Sequence, residues 1–102
     1  MSEHAQADHV FELVHESETR RYSMRIDGQL VCIVDYSINR NAIALTRTYT
    51  QPQYRGNGYA ADLVEFAVND IETTTTYRVV PTCWYVGEWF DKHPSRANLL
   101  NR

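Results

Sequence analysis

Two short stretches of this 102-residue chain carry residue types that could do chemistry. In the first, Gln53-Tyr54-Arg55-Gly56-Asn57-Gly58-Tyr59-Ala60, two glycines stand between a strand-like run over residues 42–50 and a helical run beyond. A turn of this kind leaves main-chain N–H groups unpartnered at the positive end of the helix, where the macrodipole amounts to about half an elementary charge. Gly56 and Gly58 carry no Cβ, so an anion can come close to the main chain. The turn therefore suits a phosphate or pyrophosphate. A purely structural turn accounts for the same two glycines, and both readings stand at this point. A P-loop is a poor fit because no Gly-Lys-Ser/Thr follows. A dinucleotide fingerprint would want a third glycine and an acidic residue after a second strand, in places this chain does not offer.

The second stretch is Pro81-Thr82-Cys83-Trp84-Tyr85-Val86. Cys83 falls at or next to the start of a helix, where the dipole favours thiolate and lowers the pKa below about 8.5. Cysteine is a poor N-cap beside Ser, Thr or Asp, so local structure gives little reason for it. The competing reading is an inert buried cysteine. Cys32, within Leu30-Val31-Cys32-Ile33-Val34, reads as a small buried hydrophobe. With a polar start and no export signal, both thiols are expected free and the protein cytoplasmic. His4, His9 and His15 match no ligand spacing, so no metal is expected.

The elements that must position these stretches follow from periodicity. Residues 1–9 read as a tail and residues 10–102 as one domain. Residues 10–14 suit a first strand. Residues 21–26 alternate, with Tyr22, Met24 and Ile26 on one face and Arg21, Ser23 and Arg25 on the other. Asp27-Gly28 is a hairpin turn. Residues 29–38 are apolar on both faces, which suits a central strand, and Asn39-Arg40-Asn41 turns the chain into residues 42–50. Gln51-Pro52 closes this antiparallel meander. Ala60, Leu63, Val64, Ala67, Val68 and Ile71 then form a helical stripe, broken by the threonines at 73–76. Residues 77–80 form a short strand that a helical crossover places parallel to 42–50. Residues 84–92 form a second helix, stopped by His93-Pro94.

Composition narrows the partners. A formal charge of −3 argues against non-specific nucleic-acid binding, and no apolar run is long enough to span a bilayer.

With Thr48-Tyr49-Thr50-Gln51-Pro52 ahead of the glycine turn and the Pro81 segment and His93-Pro94 behind it, the chain resembles the compact single-domain branch of the GNAT acetyltransferases. The resemblance runs from about residue 21 to 100, and Gln53-x-x-Gly56-x-Gly58 fits that superfamily's coenzyme A motif. It implies an α+β (α/β) domain whose meander joins through a crossover helix to a parallel strand, then a second short helix. The two strands flanking the crossover splay apart and hold the pantetheine arm of acetyl-CoA between them. Carried over, Tyr49 and Thr50 offer main-chain groups to the pantetheine. Arg55, Gly56, Asn57, Gly58, Tyr59 and Ala60 hold the pyrophosphate, Gln53 belongs to the same coenzyme-binding motif, and Cys83 lies near the thioester. The implied activity is acetyl transfer to an amine, small molecule or protein, with Cys83 or Tyr85 protonating the departing thiolate or Cys83 first taking the acetyl group. A coenzyme A-binding module without turnover and an interaction domain are the alternatives. Two positions depart from the family pattern: Phe90 stands where larger members carry a tyrosine, and Arg47 where many compact members carry a histidine.

Overall fold

A computed structural model of the chain describes residues 9–102, so the tail expected over residues 1–9 lies outside the described residues except for His9. Strands β1 (Phe11–Glu16), β2 (Arg21–Ile26), β3 (Gln29–Asn39) and β4 (Ala42–Thr50) pair antiparallel in sequence order. Helix α1 (Tyr59–Thr74) crosses over to β5 (Arg78–Val80), which joins β4 in parallel, giving the order β1-β2-β3-β4-β5. Helix α2 (Trp84–Asp91) and a 3-10 segment, Pro94–Asn101, complete the chain. The α+β architecture, the parallel fifth strand and the central place of β3 agree with the expectations from sequence.

The alternation in β2 sends Tyr22, Met24 and Ile26 into the core. Ser23, on the opposite face, is also fully buried, and its hydroxyl donates to Glu16 Oε2 at 2.6 Å. Asp27 and Gly28 both take positive φ, 52° and 85°, the two-residue hairpin turn that twists in the same sense as the strands. Leu63, Val64, Ala67, Val68 and Ile71 of α1 are completely buried. They share one core cluster with Val34, Tyr36, Ile43 and Leu45 of the sheet and with Val86, Trp89 and Phe90 of α2.

Two features differ from the sequence reading. The threonine run does not stop α1 at residue 73: the Thr73, Thr74 and Thr75 hydroxyls donate to the carbonyls of Asn69, Asp70 and Ile71, and the helix continues to Thr74. The segment after Pro94, to which no element was assigned, is ordered as Pro94–Asn101. It buries Leu99 completely, pairs Arg96 with Glu72 at 2.6 Å, and brings Arg102 to the carbonyls of Glu72, Thr75 and Tyr77. These contacts supply acceptor-rich α1 with cationic partners at its negative end.

Candidate functional site

The glycine turn follows directly from the end of β4. A 3-10 turn, Pro52–Tyr54, leads to Arg55 in extended conformation, then to Gly56 and Gly58 at φ 86° and 78°. Gly58 is the N-cap of α1 and offers no side-chain cap. The first helical bond runs from the Asp62 N–H to the Gly58 carbonyl, 3.1 Å. Among the described residues, the N–H groups of residues 56–61 have no protein acceptor. A Cβ built on Gly56 or Gly58 meets nothing within 4 Å, so the space before these donors is open. Asn57 Nδ2 donates to the Tyr54 carbonyl at 3.0 Å and braces the turn. Gln53 is exposed, while Tyr59 and Ala60 are half-buried at the base of the helix.

The second wall is the edge of β4 beyond the point where β5 leaves it. Parallel pairing covers Ala42↔Arg78, Ile43↔Val79 and Ala44↔Val80, and one further bond runs from the Cys83 N–H to the Leu45 carbonyl at 2.9 Å. A bulge in β4 leaves Thr46 between Arg47, which pairs with Asp35, and Leu45, which pairs with Tyr36. The Gln51 N–H donates to Val31, so by alternation Tyr49 bonds β3 while the main-chain groups of Thr48 and Thr50 turn toward the gap. Arg55 Nε donates to the Thr50 carbonyl at 2.9 Å.

Cys83 closes this end of the gap. It is the N-cap of α2, and its Sγ lies 3.5 Å from Thr48 Oγ1. Burial raises the thiol's pKa, but the Thr48 hydroxyl and the N–H groups of Val86, Tyr85 and Thr48 pull it down, and the net is below the ordinary cysteine value. Tyr85 is half-buried; burial first, then the charges of Cys32, Glu88 and Asp62, push its phenol up, so it stays protonated at neutral pH. An open groove of about 390 Å³ passes Cys83 along α2, lined in part by Trp84, Glu88 and Asp91.

The structure thus ties the start of the glycine turn to the end of β4 through Arg55 and Thr50, and ties Cys83 to the same strand through Thr48. It sets Tyr49 apart: its main chain serves β3, and its side chain lies on the face away from α1, with the Arg47 and Arg55 guanidinium carbons 5.3 and 5.5 Å from the ring centroid. Thr48, which stands in the resembling segment but has no role carried over to it there, takes the position facing the gap. Phe90 is buried against Trp89, and Arg47 pairs with Asp35 at 3.6 Å. His9 bonds Asp27, and His15 sits between Tyr36 and Asp70, while His4 lies outside the described residues. No group of three or more His, Cys, Asp or Glu converges among the described residues, and no helix there is long and apolar enough to cross a membrane.

Comparison with curated proteins finds no match. A family model described as GCN5-related N-acetyl-transferase matches residues 21–99, from the start of β2 through Leu99. That span takes in the glycine turn, the open β4 edge and Cys83, and the chain belongs to the GCN5-related N-acetyl-transferase family.

Proposed function

We propose that this protein transfers acetyl from acetyl-CoA to an amine. The observation that carries the reading is the row of N–H donors without acceptors over residues 56–61, joined to the end of β4 by the Arg55–Thr50 bond, with Cys83 on Thr48 of the same strand. The row fits a pyrophosphate: donors without acceptors, left-handed glycines and the positive end of α1 all favour bound anion. The exposed β4 edge offers strand-like hydrogen bonds to the amide groups of a pantetheine arm. Acetyl-CoA would supply the activated thioester; the remaining roles belong to the chain.

In the direct route the neutral amine attacks the thioester carbonyl, the C–S bond breaks, and the leaving thiolate takes a proton. Cys83 supplies that proton better than Tyr85, because its pKa is lowered while that of Tyr85 is raised. The thiolate left on Cys83 is held by the Thr48 hydroxyl and the first N–H groups of α2, and the proton released by the amine nitrogen as the amide forms returns it to the thiol. No histidine or carboxylate bonds Cys83 among the described residues, which favours this route over a covalent acetyl-Cys83. Glu88 and Asp91 on the adjoining groove suit an acceptor that arrives as a cation.

Calorimetric titration of the reduced protein with acetyl-CoA, CoA and ATP tests the reading. Coenzyme binding at micromolar Kd, about −8 kcal/mol, with ATP much weaker, supports it. No coenzyme binding up to about 1 mM overturns it. Binding without thioester loss to any amine points to a coenzyme A-binding module. An acetyl adduct on Cys83 in intact mass, formed without amine, favours the covalent route.

A further inference from the structure

The strand order ends at β1, whose outer edge has no partner among the described residues. The Asp27 N–H donates to the Val10 carbonyl at 2.9 Å, and antiparallel pairing alternates from there. The main-chain groups of Glu12 and Val14 therefore face β2, while those of Phe11, Leu13 and His15 face outward. The side chains on this edge are apolar on both faces: Val10 is 61% exposed, Phe11 49%, Leu13 37% and Val14 39%. Among the described residues only Tyr49 and Trp84 are other large apolar side chains so exposed. Free edges are commonly blunted by charge, but here Glu12 stands across from Arg25 and Glu16 from Arg21 in register, so each acidic residue has a basic one opposite it within the chain.

We infer that β1 is the seam of a homodimer, pairing antiparallel with β1 of a second copy about a twofold axis at Leu13. A twofold perpendicular to the sheet keeps each face continuous, so facing residues must have the same sidedness. Three central registers satisfy that condition. One sets Glu12 against Glu12 of the second copy, and another sets Glu12 against Glu16; each places like charges face to face. The third sets Leu13 on Leu13, Phe11 on His15, Glu12 on Val14 and Val10 on Glu16, with no like charges opposed. In it the outward N–H and C=O groups of Phe11, Leu13 and His15 all find partners. The occupant is a second copy because one strand supplies both halves of a self-complementary seam.

Sedimentation of the full chain across micromolar to about millimolar concentration, the range in which weak dimers form, reads the mass directly. The expected result is a dimer that Leu13→Lys converts to monomer, with the coenzyme site untouched. Oxidised Leu13→Cys in a Cys83→Ser background is expected to cross-link between copies, because facing Cα atoms fall within disulfide range, at least roughly tenfold faster than Val14→Cys. A chain that stays monomeric throughout, a dimer that survives Leu13→Lys, or faster linking through Val14→Cys overturns the seam.

Discussion

Gly58 holds φ at 78° and has open space where a Cβ would project, so two separate demands meet at one residue. The conformation excludes most side chains at a cost of about 1–3 kcal/mol, but asparagine enters the left-handed region readily. Gly58→Val is expected to lose both stability and coenzyme affinity. Gly58→Asn is expected to lose less thermal stability than Gly58→Val and still bind acetyl-CoA at least about tenfold more weakly, near 1.4 kcal/mol, by calorimetry. Full affinity in Gly58→Asn would mean the anion does not approach this residue. The thiols give a second contrast. Burial above all raises Cys32, whereas Cys83 is lowered, and only the thiolate reacts with iodoacetamide. Folded protein should therefore alkylate at Cys83 alone, with a midpoint below that of an ordinary cysteine. Thr48→Val should move that midpoint upward and Thr48→Ser restore it; an unmoved midpoint would remove Thr48 from the site. The glycines and Cys83 were legible in the sequence because glycine turns and helix starts are local features. Thr48 was not, because its orientation depends on pairing between strands.

That orientation is a property of β4 as an element. Without the bulge at Thr46, strict alternation would carry Leu45, Arg47 and Tyr49 onto the helix-facing side. With it, Leu45 and Thr48 both reach that side, one bonding the Cys83 N–H and the other its sulfur. The turn at residues 39–41 and Gln51-Pro52 bounded β4, and periodicity located the buried stripe of α1 except at Ala60, which is half-buried, since a helical pattern repeats long enough to count. A single inserted residue leaves no such trace. The final 3-10 segment escaped for a related reason: Leu99 and Leu100 stand side by side and form no stripe. Its anchorage is nevertheless complete at Leu99, which is fully buried. Leu99→Ala is expected to cost about 2–5 kcal/mol in urea unfolding with an unchanged slope. A loss under about 1 kcal/mol would show that the segment contributes little to the core.

For the molecule as a whole, occupancy and stability are linked. A ligand that binds only the folded chain at a hundredfold excess over its Kd adds about 2.7 kcal/mol. In a domain of this length that is on the order of 10 °C in thermal midpoint. Acetyl-CoA and CoA should both produce such a shift, and ATP a much smaller one; equal shifts from all three would reduce the site to a general anion trap. The same unfilled row of donors also sets a clock. With only water to bond, the amides of residues 56–61 should exchange with deuterium quickly, though the stripe of α1 a turn later lies in the most protected part of the fold. On the proposed reading a bound pyrophosphate supplies the helix cap that the sequence leaves out, and its arrival should be readable as the slowing of a few neighbouring amides.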